Sequence, residues 1–184
     1  IGRQIVIWGR SETLRVLDVL NPLDNREPGR VDIEDLRRPV GMAKLDAYQK
    51  LAGGDWSLSL IAIPEIRFDN SPPPGSDFYP GILVAKEEVP NDYENVELAG
   101  AITGIYSGWD LSLHGAWYYD DTPRLVPVLS VPALSKHDRL WMVGAGGNYT
   151  KGSWLVKAEL AYVDGVGFTE ILPTMPFPTI NTSR

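Results

Sequence analysis

The sequence predicts an all-β fold: an antiparallel transmembrane β-barrel, an incomplete wall of about seven strands, with a short helical, Arg-rich segment near the N-terminus. Three observations carry that expectation. Tight polar turns at Gly53-Gly54-Asp55, Ser107-Gly108 and Lys151-Gly152 are followed, directly or one residue later, by Trp56, Trp109 and Trp154. After each Trp, apolar residues fall at every second position, the period of a strand with one apolar face. Long Pro-rich or charged segments join one hairpin to the next. Short turns at one end and long loops at the other, with aromatics at strand entry, are what a barrel wall in a membrane requires.

The elements follow in order. Gly2 to Trp8 reads as an opening strand with Ile5 and Ile7 on one face and Gln4, Val6 and Trp8 on the other. From Ser11 to Leu20 apolar residues fall at helical spacing, Ser11 is placed as an N-cap and Asn21-Pro22 stops the run, so a short helix or helical turn is expected. Asp24 to Pro39 is dense in charge and reads as an irregular, ordered segment with one helical turn at Ile33 to Arg37. Gly41 to Leu51 leads into the first turn, after which Trp56, Leu58, Leu60 and Ala62 share a face. Asn70 to Asn95 is a long loop, of a length usual outside a membrane and unusual inside a compact soluble domain.

In the second hairpin Leu98, Gly100, Ile102, Gly104 and Tyr106 lie on the same face as Trp109, Leu111, Leu113, Gly115, Trp117 and Tyr119, if Tyr106 pairs with Trp109 across Ser107-Gly108. Trp109 to Tyr119 spans roughly 33 Å of strand, or about 25 Å of height at a tilt of about 40°, the height of a lipid-facing band. The third hairpin repeats this with Trp141, Val143, Ala145, Gly147 and Tyr149, then Trp154, Val156, Ala158, Leu160 and Tyr162. The membrane-interface aromatics are therefore Trp56, Tyr106, Trp109, Trp117, Tyr119, Trp141, Tyr149, Trp154 and Tyr162. Residues 165–184 read as a loop or tail without a partner hairpin. The whole of 1–184 is one barrel domain or a fragment of one, divided into a charged segment at 11–39, internal or periplasmic, and three hairpins at 40–164.

Composition leaves this open while closing other routes. With 43% hydrophobic and 22% charged residues and a mean hydropathy of -0.13, the chain has an ordinary globular make-up, which a barrel shares because only alternate residues face lipid. No run approaches the roughly 20 apolar residues of a membrane helix, so any crossing is made by strands. A net charge of -7 and a pI near 4.8 argue against nucleic acid, which requires a basic footprint. The absence of Cys excludes disulfides, thiolate metal sites and Cys nucleophiles. Starting at Ile1 without a signal-peptide pattern, the chain reads as a processed or truncated piece. No cofactor or metal is expected: Glu87-Glu88 and Asn91-Asp92 with Glu94 lack ligand spacing, and Gly144 to Gly147 is not a phosphate loop.

At Gly2-Arg3-Gln4, Trp8-Gly9, Leu14 to Asn21-Pro22 (LRVLDVLNP) and Arg26-Glu27-Pro28-Gly29 the sequence resembles a family of Gram-negative outer-membrane proteins of unassigned function with a porin-like barrel, which share a G-R-Q, W-G, then D-V-x-N-P block. The match covers about the first 40 residues by motif and the rest by architecture. It implies an outer-membrane location and transport, in a chain longer than this one, and supplies no catalytic residues.

Between Arg10 and Arg38 there are six Arg, seven acidic residues and no Lys. Arg presents a planar fork for bidentate pairing, so the set points to ordered ion pairs: a charged constriction or plug built from Arg10, Arg15, Arg37 and Arg38 with Asp18, Glu34 and Asp35. The alternative is a solvated periplasmic or surface segment. The polar faces of the hairpins add Asp110, His114, Tyr118, Asp120, Lys157 and Glu159 as lumen candidates, and Lys157 must face inward because Lys on a lipid face at mid-depth costs about 2–4 kcal/mol. Ser112 and His114 share that face and raise the idea of an esterase, but no third group or oxyanion donors are fixed beside them.

The function expected is an outer-membrane channel or transporter for small or amphipathic solutes, non-enzymatic, with the apolar stretch Leu125 to Leu134 as an entrance surface or as packing over the barrel mouth. Its partners are the lipid bilayer, a solute, and a second copy or another envelope protein. The alternatives are a soluble, calycin-like ligand-binding barrel, whose apolar face would point inward, and a wall component that scaffolds another envelope protein.

Overall fold

The computed structural model describes residues 1–10, 15–32, 34–79, 84–88, 95–126, 133–170 and 179–181. Its centre is one seven-stranded sheet in the order β1 (Gly2–Gln4), β2 (Val40–Leu51), β3 (Gly54–Ile63), β5 (Glu97–Tyr106), β6 (Trp109–Tyr119), β9 (Arg139–Lys151) and β10 (Trp154–Asp164). Every neighbouring pair is antiparallel. At the end carrying the long loops, β4 (Val84–Glu88) pairs parallel with β8 (Ala133–Lys136), which pairs antiparallel with β7 (Arg124–Val126). A last pair joins β11 (Phe168–Glu170) to β12 (Thr179–Asn181).

The second hairpin has the expected register: Tyr106 opposes Trp109 across Ser107-Gly108. The other two turns sit one residue away from the positions the sequence suggested. In the first, Ala52 and Gly53 turn the chain, both at positive φ (53° and 78°), the geometry that matches the twist of two hairpin strands. Gly54 is already in β3, where it makes room for Tyr106: a Cβ there would lie 2.6 Å from that ring. The third turn is Gly152-Ser153, and Lys151 opposes Trp154.

Other expectations are corrected. The opening strand is three residues long; the alternation of exposed Ile5 and Ile7 with inward Val6 and Trp8 continues beyond it without ladder bonds. No helix forms among the described residues. Residues 15–20 make a turn, with Asp18 N–H donating to Arg15 O at 3.3 Å, and this one turn is enough to aim both Leu17 and Leu20 at the sheet; residues 11–14 lie outside the described residues. Likewise Asp32 to Arg37 is a turn, with Asp35 N–H donating to Asp32 O at 2.9 Å, and Ile33 lies outside the description. The tail does pair, through β11 and β12. The stretch Leu125 to Leu134 contributes ends of β7 and β8, and its middle, 127–132, is outside the described residues.

Register sorts the side chains of the large sheet onto two unlike faces. One face carries Leu45, Leu60, Leu98, Ile102, Leu111, Leu113, Val143, Val156 and Leu160, all exposed. The other is covered in its long-loop half by the described residues of 5–39, while Tyr48, Ile105 and Leu155 near the tight turns stay exposed. Trp8, Leu17 and Leu20 bury against Val40, Met42, Ile61, Ile63, Ala101, Ala116, Leu140 and Met142. Backbone groups of this irregular segment are satisfied partly by isolated bridges, Leu23 to Arg37 and Asp24 to Asn70, and partly by side chains. Buried Asn21 accepts from Val6 N–H at 2.8 Å and donates to Gln4 O at 3.1 Å and Arg38 O at 3.0 Å. Asp69 accepts from Leu23 N–H at 2.6 Å and from Asn25 Nδ2 at 3.0 Å.

Candidate functional site

The site is the junction between the described residues of 5–39 and the covered face of the sheet, and it is zoned. Towards the long loops the sheet contributes mainly apolar rows, Met42 with Ile63 and Ile61 with Ala99, Ala116 and Met142, the second begun by Lys44 opposite Ile61. Towards the tight turns the rows become polar, through Asp46, Ser59 and His114, then Ser57, Thr103, Ser112 and Glu159, then Asp110, Asn148 and Lys157. Leu17, fully buried, marks the boundary. Its side chain occupies the space over Gly144 and Gly146, where an added Cβ at Gly146 would come within 3.2 Å of Leu17 Cδ1. Any larger residue at Gly144 would take the place of that leucine.

Arg10 links the segment to the polar rows. Its Nη1 lies 3.0 Å from Asp110 Oδ1, its backbone N–H donates to Glu159, and Asn148 Nδ2 donates to Asp110 Oδ2 at 3.0 Å. Next to it the Trp8 and His114 rings lie 4.7 Å apart. Three of the candidates therefore converge on one place, Arg10, Asp110 and Glu159, with His114 beside them. Lys157 is on the same face of β10 and exposed. Ser112 Oγ donates to Gly146 O at 3.2 Å, and the ring of His114 packs on Trp8.

The remaining Arg-rich candidates hold the segment itself together. Arg37 and Asp18 form a buried ion pair, Arg37 Nε donating to Asp18 Oδ2 at 2.9 Å, while Asp18 Oδ1 accepts from Trp8 N–H at 3.2 Å. Arg15 meets Glu34 at 2.5 Å, and Arg38 Nη1 donates to Phe68 O at 2.8 Å. Asp35 is exposed. Outside the core of the segment, Arg26 forks onto Asp24 with bonds of 2.7 and 2.6 Å and holds its carboxyl down at about 2.

Two candidates belong elsewhere. Tyr118 lies in the apolar zone, buried beside Leu140 and Met142, because its place in the alternation falls at the long-loop end of the covered face. Asp120 follows the end of β6. Its N–H donates to Asp138 O at 2.8 Å, its carbonyl lies 2.6 Å from His137 Nδ1, and burial pushes its carboxyl up, as it does that of Asp69. Sequence reasoning missed a further polar set on β2 and β3: Lys44 Nζ and Ser59 Oγ both bond Asp46 at 2.5–2.6 Å. The signal was present as Lys44, Asp46, Tyr48 and Lys50 at alternate positions.

The exposed face ends in aromatics on both sides. Trp56, Tyr106, Trp109, Tyr149 and Trp154 stand at the tight-turn end, with Tyr106 stacked on Trp109 at 4.2 Å and edge-on to Trp56 at 6.2 Å. Trp117, Tyr119, Trp141 and Tyr162 stand at the other end. There Trp141 Nε1 donates to Asp164 at 2.9 Å, and Tyr119 Oη lies 2.8 Å from Asn95 Oδ1. Between the two rows every outward position from Ala43 to Leu51, Trp56 to Ala62, Leu98 to Tyr106, Trp109 to Trp117, Trp141 to Tyr149 and Trp154 to Tyr162 is uncharged.

No curated protein matches the chain, and no solved structure does. The family model described as "Protein of unknown function (DUF1302)" matches residues 1–179, nearly the whole length, and the chain belongs to that family.

Proposed function

We propose that the chain is wall and internal plug of a bacterial outer-membrane β-barrel that acts as a channel or transporter for small or amphipathic solutes, without enzymatic activity. One observation carries the reading: a broad, exposed, uncharged apolar face bounded at both ends by aromatic rows. In water a contiguous exposed apolar face across six strands is a liability; against lipid it is the required band with its two girdles. The short turns then face the periplasm and the long loops the exterior. A soluble ligand-binding barrel calls for the opposite arrangement, apolar face inward and polar face in water. The resemblance of the first residues to porin-like outer-membrane proteins points the same way.

The described residues of 5–39 lie on what becomes the lumen side, so solute passes along a segment whose charged contact with the polar rows is Arg10 on Asp110 and Glu159. Arg15 and Arg37 pair within the segment, which makes Arg10 the better probe of a charged constriction. Two measurements test the reading. Without detergent the chain is expected to aggregate, and a folded monomer in plain buffer overturns the membrane assignment. In planar bilayers Arg10→Glu is expected to shift ion selectivity towards cations; unchanged selectivity removes the constriction.

A further inference from the structure

We infer that Arg139 is the cation of a binding site for the phosphate of a membrane-lipid headgroup, at the long-loop end of the sheet; the inference rests on the membrane reading above. Arg139 opens β9, opposes Tyr119, and lies on the same face as Trp141. It therefore stands where the apolar band stops, at the level of headgroups. Its guanidinium carbon is 4.0 Å from the centre of the Trp117 ring and 4.0 Å from that of Tyr119. Both rings hold the guanidinium by cation–π contact, which leaves its N–H groups able to donate to a ligand.

Those donors are almost unused. Among the described residues Arg139 forms no ion pair, and its hydrogen bond is a long one, Nη1 to Val96 O at 3.4 Å. By contrast Arg3, Arg10, Arg26, Arg37, Arg67 and Arg124 each meet a carboxylate. Of the carboxylates near it, Glu97 feels the charge of Arg139 without an ion pair to it, and both Glu97 and Asp164 take a hydrogen bond from another donor. Glu97 Oε1 accepts from Tyr119 N–H at 2.8 Å, and Asp164 Oδ2 accepts from Trp141 Nε1 at 2.9 Å. Arg139 is partly exposed, is held beside two rings and has guanidinium donors beyond the one on Val96 O, which fits two oxygens of a phosphate. The apolar face directly below, with Trp117, Trp141 and Val143, supplies contact for acyl chains, which inorganic phosphate cannot use.

The test uses the whole chain in nanodiscs of phosphatidylcholine containing a minor fraction of phosphatidylglycerol, with retained lipids identified by native mass spectrometry. The native chain is expected to retain phosphatidylglycerol in preference to phosphatidylcholine. Arg139→Gln is expected to lower that preference about tenfold, the scale of one or two charge-assisted hydrogen bonds, and Arg139→Lys, which keeps the charge without the fork, by a smaller factor. Trp117→Leu, which keeps Arg139 but removes one of its rings, also lowers it. Inorganic phosphate at millimolar concentration leaves the lipid in place; displacement would reassign the site to free anions and overturn the lipid assignment. Equal preference in native and Arg139→Gln chains, both folded by circular dichroism and both inserted, overturns the inference while the membrane reading stands. A chain that stays folded outside the nanodisc overturns both.

Discussion

Replacing Leu17 by Ala tests whether residues 5–39 are seated on the sheet or only lie near it. Leu17 has no exposed surface, and its methyl groups fill the space left by Gly144 and Gly146. Truncating such a leucine removes its transfer free energy and leaves a cavity, about 3 kcal/mol in all. The glycines across from it cannot close the gap, because neither has a side chain to move. The loss falls on opening of the segment, so the most direct assay is hydrogen exchange at Val6 and Trp8, whose N–H groups donate to Asn21 Oδ1 at 2.8 Å and Asp18 Oδ1 at 3.2 Å. A cost of about 3 kcal/mol corresponds to roughly a hundredfold faster exchange at both amides. In that background Gly146→Ala returns one methyl group to the cavity and is expected to slow exchange about fourfold, from about 0.8 kcal/mol per buried carbon. Less than threefold acceleration in Leu17→Ala would refute the seating of the segment in the two-glycine slot.

Three other perturbations follow from the same geometry. Asn21→Ala leaves Val6 N–H, Gln4 O and Arg38 O without their shared partner and should cost about 2–4 kcal/mol in a denaturant titration of the refolded protein. Ala52→Gly relieves a residue with a Cβ held at φ 53° and should raise stability by about 1 kcal/mol, read as a higher denaturation midpoint with unchanged slope. Asp121 lies beyond β6, where burial, then the neighbouring Asp69, Glu97 and Asp120, push its carboxyl well above the usual 3.8. The folded state then holds this proton more tightly than the unfolded state, so stability falls as pH rises from about 3.8 through the raised value. Asp121→Asn should flatten that slope and stabilise the protein at pH 7; an unchanged pH profile would count against the burial of this carboxyl.

The sheet was legible because its information is local. Alternation over ten or more residues gives a face to each of Leu98 to Tyr106, Trp109 to Tyr119 and Trp154 to Tyr162, and a two-residue turn between Tyr106 and Trp109 leaves one register. Where a glycine pair offered two positions for a turn, at Gly53-Gly54, the choice depended on Tyr106, about fifty residues away, whose ring needs the second glycine. The short strands β4, β7, β8, β11 and β12 are three to five residues long, too few for a period to be read. The segment 5–39 was legible as charged and ordered but not in its fold. Its backbone is held by the isolated bridges of Leu23 to Arg37 and Asp24 to Asn70 and by Asn21 and Asp69, single side chains reaching across 15 to 46 residues, and such bonds leave no periodic trace. The Arg-rich composition drew attention to ion pairs, yet the seat is made by Trp8, Leu17 and Leu20 on an apolar wall, with Arg10 at its margin.

An alternating sheet with an odd number of strands starts and finishes in the same direction. Rolled up as it stands, this one would lay β1 parallel to β10, three residues against eleven. A seam of wholly antiparallel pairs therefore takes an odd number of additional strands between these two edges. The place where such a strand would zip on is set by β10, whose register to β9 runs unbroken from Trp154 to Asp164, without proline or bulge; Lys157 and Glu159 point to the side away from the apolar band, and the third charge, Asp164, stands at the last position of the strand, past the aromatic row. Between Trp154 and Tyr162 no charge faces the band, so a neighbour with alternate apolar residues finds one orientation in which its oily side continues the band and its polar side meets Lys157 and Glu159.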